Sequence, residues 1–98
     1  MPLLDFTAIA EQLPEAWKSK RLGQVGPAHI KVLRMDAQVY EEETHDYNEG
    51  LLVISGHLLL SIADQAIRVE AGQMYLVEAG TAHGVLAGSH GTLLIIDV

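Results

Sequence analysis

The sequence predicts an all-β fold, a single-domain jelly-roll β-barrel with a short N-terminal helical arm, and three observations carry that prediction. From residue 18 onward, short apolar runs alternate with breaks at Gly23, Gly26-Pro27, Asn48-Glu49-Gly50, Gly56, Ala63-Asp64-Gln65, Gly72, Gly80 and Gly88. These breaks leave room for roughly eight strands in 98 residues, a density that suits a sandwich or barrel. Finally, 49% of the residues are hydrophobic and none is cysteine. A real core is therefore available, but a disulfide, a zinc ribbon or a thiolate nucleophile is not. A small domain without such staples gains most from a closed sheet or from pairing with a second subunit.

The expected division is a helical arm at residues 1–17 and a β-barrel domain at residues 18–98. In the arm, Asp5 caps a segment in which Phe6, Ile9, Ala10 and Leu13 recur at helical spacing, and Pro14 ends it. So short a helix needs tertiary support. Trp17, the only tryptophan, is placed to anchor the arm to the barrel, with a subunit contact as the alternative. Strands are expected over residues 30–35, 37–42, 51–54, 58–62, 66–70, 74–77 and 93–98. Ile67-Arg68-Val69-Glu70 alternates as a strand with one wet face should. Leu58-Leu59-Leu60 and Leu93-Leu94-Ile95-Ile96 do not alternate, which predicts burial on both faces. One face would be core and the other would lie under a second sheet or a partner subunit.

A net charge of −7 argues against nucleic acid, whose phosphates demand a basic surface. Lys18, Lys20, Arg21, Lys31 and Arg34 all precede residue 35 and read as a solvated face. There is no charged segment leading into an apolar signal core, and no apolar run approaches the ~20 residues of a membrane span. A soluble, cytoplasmic protein with no membrane partner is the expectation.

The chemistry concentrates in two clusters, Glu43-Thr44-His45 with Glu49, and His83 just after Gly80. Residues two apart on a strand share a face, so Glu43 and His45 are expected to project together. Glu49 has the same parity, and a bend at Asp46-Tyr47-Asn48 would swing it onto the same centre. His83 would join from another hairpin. Imidazole and carboxylate without thiolate favour a divalent ion such as Zn, Fe, Mn or Ni. Two histidines and one carboxylate with open positions would make the facial triad of non-haem Fe(II) oxygenases. His29, His57 and His90 fit structural roles better, and Tyr47 and Tyr75 are either phenols at a pocket mouth or ordinary sheet aromatics. No Ser/His/Asp, Lys/Tyr or paired-carboxylate arrangement stands apart from the metal cluster, so no catalytic residue is assigned. Histidine ligands must be neutral, so metal affinity is expected to fall below roughly pH 6.5.

Glu43-x-His45-x3-Glu49-x6-Gly56 resembles the first motif of the cupin superfamily, which runs His-x-His, three or four residues, Glu, six residues, Gly. Gly72-x5-Glu78-x-Gly80-x2-His83 resembles the second, which runs Gly, five residues, Pro-x-Gly, two residues, His, three residues, Asn. The chain from His29 onward, with the preceding Leu13-Pro14-Glu15-Ala16-Trp17, is similar to small single-domain cupins related to mannose-6-phosphate isomerase. Glu43 stands where the family has its first histidine, Glu78 replaces the proline and Ala87 the asparagine. The resemblance implies that His45, Glu49 and His83 are metal ligands, with Glu43 either a fourth ligand or turned to solvent. It also implies a homodimer paired through a sheet. The expected function is divalent-metal binding, with the barrel binding or acting on a small polar molecule. The alternatives are a metal-free binder of a sugar-like ligand and a dimeric structural protein without catalysis.

Overall fold

In the computed structural model, residues 3–98 are described. They form a helix, α1 (Phe6–Glu11), and eight strands: β1 (Lys20–Val25), β2 (Ala28–Met35), β3 (Tyr40–Glu43), β4 (Glu49–Ile62), β5 (Gln65–Glu70), β6 (Met74–Val77), β7 (His83–Val85) and β8 (His90–Asp97). Met1 and Pro2, the first two residues of the expected arm, lie outside the described residues. The strands pair antiparallel in the order β1-β2-β8-β4-β7-β3, with β5 and β6 also on β4. This is the single-domain β-barrel that the sequence predicts.

The largest departure from the expected elements is at Gly56. It does not break the chain: residues 51–54 and 58–62 belong to one 14-residue strand, β4. Gly56 takes φ 75° inside that strand, opposite Gly91 at φ 105°. The β4–β8 register shifts between Val53 and Ser55, the mark of a bulge. The bend lets β4 change partners. Its first half pairs with β6 and β8, and its second half pairs with β5 and β7. Two further strands, β1 and β7, were not expected, because Gly23 reads as a turn and β7 has only three residues. The expected strand at 37–42 begins only at Tyr40, since Asp36 and Gln38 form a tight side-chain turn first, with Gln38 N donating to Asp36 Oδ1 at 3.0 Å.

The core gathers Leu33, Met35, Leu51, Val53, Leu58, Leu60, Val69, Val77 and Leu93 inside the barrel. The non-alternating 93–96 run is covered on both faces. Leu93 and Ile95 line the barrel cavity. Leu94 therefore points the other way, as does Val32 on the neighbouring strand, and both are buried. The covering layer at that face is the chain's own α1, which packs on β2, β8 and β4 and buries Ala10. Asp5 caps this helix by accepting from Ala8 N at 3.1 Å. Trp17 then seats the arm: its backbone N donates to Arg34 O (2.8 Å) and its indole Nε1 to Asp36 Oδ1 (2.7 Å).

A Cβ on Gly56 would lie 2.0 Å from His90 O, whereas one on Gly72, also at positive φ, would meet nothing within 4 Å. Strain and overpacking together make Gly56→Ala cost on the order of 3 kcal/mol. Gly72→Ala should cost only the left-handed backbone penalty, about 1–2 kcal/mol. Urea denaturation of the two variants measures the difference.

Candidate metal centre

Two of the sequence-selected residues face each other by register. Glu43 ends β3, His83 opens β7, and the two are Cα partners across the pair. His45 lies two residues past the end of β3, in the loop to β4, so it does not share a strand face with Glu43 as expected. The loop brings it back instead. Gly80 N donates to His45 O at 2.8 Å, and Ala79 N donates to Asn48 Oδ1 at 2.9 Å, stitching the β3–β4 loop to the β6–β7 loop. Asn48 is thus a positioning residue that motif spacing did not single out.

The result is a cluster in which one ligand atom each from Glu43, His45 and His83 lies within 4.8 Å of the others. Glu43 Oε1 is 3.2 Å from His45 Nε2, although the Glu43 side chain is 68% exposed. Its carboxylate thus turns towards the histidine. Glu49 opens β4 and sits outside this trio, with Oε1 3.5 Å from His83 Nε2. The structure therefore gathers all four expected residues around one cavity, with Glu49 outside the compact trio.

His83 has the posture of a ligand. Its Nδ1 lies 3.0 Å from Thr81 O, and a carbonyl there requires Nδ1 to carry the proton. The other nitrogen, Nε2, then presents a bare lone pair. It is buried and has no hydrogen-bond partner among the described residues. An imidazole oriented by a backbone carbonyl, with its second nitrogen free, is how metal-bound histidines are commonly held. His45 stacks on Tyr47, ring centroids 4.9 Å apart and planes 7° from parallel. The donor set and the orphaned nitrogen fit a divalent cation.

Burial pushes the Glu49 carboxyl above its usual range, partly offset by His83 and His45. Burial likewise raises the Tyr47 phenol, reinforced by the charges of Asp97 and Glu49. The cluster borders a cavity of about 370 Å³ that Trp17, Tyr40, Tyr47 and Leu58 also line. Lys31 and Asp97 line it too, which corrects the reading of Lys31 as part of a solvated face. Both were legible in principle from period-two phase, Lys31 with Leu33 and Asp97 with Leu93 and Ile95. The other histidines stay apart from the cluster. His57 Nε2 meets Gly88 O at 2.9 Å and its ring meets His90 edge-on. Tyr75 packs on the core, whereas Tyr47 belongs to the site.

The cupin domain family matches residues 32–98. The structure is similar to that of a cupin-2 domain containing protein from Shewanella frigidimarina, at TM-score 0.87 and 22% identity, covering 97% of this chain and 93% of that one. It is also similar to protein NMB1881 from Neisseria meningitidis (TM-score 0.84, 16% identity, 98% of each chain). TT1209 from Thermus thermophilus matches at TM-score 0.75 and 18% identity, over 100% of this chain and 97% of that one. At these identities the likeness speaks for the fold alone. No curated protein matches the sequence.

Because burial raises the Glu49 carboxyl, its ionisation opposes folding of the metal-free protein. That cost is absent well below pH 4.5, the ordinary value, and develops as pH rises through the raised folded value. Glu49→Gln should therefore raise the urea midpoint at pH 7 in the presence of chelator, and leave it nearly unchanged in strong acid. Asn48→Ala, which frees one stitch between the two ligand loops, should lower stability by about 1 kcal/mol in the same assay.

Proposed function

This chain belongs to the cupin family, and we propose that its barrel holds a divalent metal ion and binds or acts on a small polar molecule beside it. Glu43, His45 and His83 would be ligands, and Glu49 the fourth, beside His83. The observation that carries this reading is the buried Nε2 of His83, which makes no hydrogen bond and has the Glu49 carboxylate 3.5 Å away, on a ring aligned by Thr81 O. Imidazole and carboxylate donors without thiolate suit Zn, Fe, Mn or Ni. Such an ion supplies Lewis-acid chemistry, polarising a carbonyl or activating a water on a molecule in the cavity. The residues of the chain do the rest. Thr81 O keeps the His83 proton on Nδ1, Tyr47 holds the His45 ring in plane, and Leu58 and Leu60 exclude water from one wall.

A second reading is favoured by the pairing of each histidine with its own carboxylate, His45 with Glu43 and His83 with Glu49. Two such pairs can exist without metal, and the barrel would then be a metal-free binder of a sugar-like molecule. The narrower place proposed for the chain, among small cupins related to mannose-6-phosphate isomerase, rests on the resemblance of its Leu13-Pro14-Glu15-Ala16-Trp17 arm, which here is seated on β2. A second copy of the chain would pair through the outer sheet face, where Met74 and Leu76 are about half exposed beside Gly50 and Ile96. Among the described residues no helix is long and apolar enough to cross a membrane, and a cytoplasmic location is part of the proposal.

Elemental analysis of protein purified without an affinity tag tests the metal. A stoichiometric divalent ion, lost in His83→Ala, is expected. Metal far below stoichiometry, and not restored by Zn, Mn, Fe or Ni, would favour the metal-free binder. Light scattering at micromolar concentration should give a dimer, and a monomer would contradict the proposed pairing.

A further inference from the structure

Beyond the metal cluster, the cavity carries a second polar pair that coordination does not use. Lys31 projects inward from β2 and Asp97 from β8, with Lys31 Nζ 2.7 Å from Asp97 Oδ2. The Asp97 side chain is only 2% exposed, yet its other oxygen, Oδ1, has no hydrogen-bond partner among the described residues. Lys31 Nζ has three donors, of which this contact takes one. The pair thus presents free donors beside a bare buried acceptor. A group that accepts and donates at once, a hydroxyl, is its direct complement.

The position of the pair is as telling as its chemistry. Asp97 lies one step beyond the Gly50↔Ile96 partners, which puts it beside Glu49 on the inward face. A molecule seated on Lys31 and Asp97 therefore reaches the metal cluster without spanning the barrel. Trp17, Tyr40 and Tyr47 also line the cavity and offer aromatic carbon against its skeleton. A cavity of about 370 Å³ is within the range of small-molecule sites. The carboxylates of Glu41, Glu43, Glu49 and Asp97 outweigh the Lys31 ammonium by three charges. A divalent ion would offset two of these and still leave a negative charge, so the cavity disfavours an anion with or without the ion.

We propose that Lys31 and Asp97 form a ligand subsite for a non-anionic, hydroxyl-bearing small molecule, one of whose hydroxyls donates to Asp97 Oδ1 while an oxygen of the same molecule accepts from Lys31 Nζ. The subsite rests on the reading of the barrel as a small-molecule site; neither the hydroxyl contact nor the exclusion of an anion depends on the metal.

The test uses D-glucitol and D-glucose as hydroxyl probes and butyrate as an anionic one. They are titrated calorimetrically into wild type, Asp97→Asn and Lys31→Met, and the metal content of every sample is measured. Hydroxyl probes should bind wild type more tightly than butyrate does, and each variant should weaken them by at least about tenfold. Should a variant fail to fold, carboxyl-labelled aspartate in wild type keeps the test open, because the Asp97 resonance must move as a hydroxyl probe is added. Failure of both hydroxyl probes to bind, tighter binding of butyrate, unchanged affinity in folded variants or an unmoved Asp97 resonance would each overturn the subsite. Absence of metal from the wild-type sample would count against the metal reading, while the Asp97 resonance still reports on the hydroxyl contact.

Discussion

The close crossing of β4 and β8 at Gly56 and Gly91 is the constraint on which the rest of the structure depends. Each glycine holds a positive φ, and a Cβ on either would lie 2.0 Å from a backbone oxygen of the opposite strand. Only there can the two strands approach so closely. The bend that results hands β4 from one set of neighbours to another, so the sheet curls instead of running flat. β7 is then placed between β4 and β3, which sets His83 opposite Glu43. At the first half of β4, the same geometry sets Asp97 and Glu49 side by side.

The candidate metal cluster is assembled largely by strand register and by loop contacts to the backbone, with one side chain, Asn48, making a stitch. Register supplies Glu43 and His83, two loop-to-loop hydrogen bonds supply His45, and the first residue of β4 supplies Glu49. The entropy of bringing these groups together is met by the folding of the barrel, which leaves little reorganisation for an incoming ion. The arrangement has a cost in the absence of a cation: a carboxyl raised by burial and an imidazole nitrogen with nothing to bond. Natural proteins tolerate such violations of local rules where a site requires them.

The fold class was legible because glycine punctuation and apolar strand runs are local signals. Gly56 was misread for the same reason: a positive-φ glycine marks a turn as readily as a bulge, and only its opposite strand distinguishes them. The three-residue β7 carries too little pattern to be seen alone. Leu93-Leu94-Ile95-Ile96 announced two covered faces but not that α1 covers the outer one, since packing partners are not encoded in periodicity. In the site, motif spacing singled out Glu43, His45, Glu49 and His83, and all four fall in one region. Spacing was silent on Asn48, whose side-chain Oδ1 accepts from Ala79 N, and on Thr81, whose backbone carbonyl orients His83. Lys31 and Asp97 share the period-two phase of Leu33 and of Leu93 and Ile95, but which of the two phases faces inward is settled only by the closed sheet.

Anomalous diffraction from crystals of untagged protein, recorded at the absorption edges of Zn, Fe, Mn and Ni, tests the central claim most directly. A peak at one edge is expected in the space bounded by the Glu43 carboxylate and the Nε2 atoms of His45 and His83. A featureless cavity at every edge, or a peak remote from those atoms, would contradict the account.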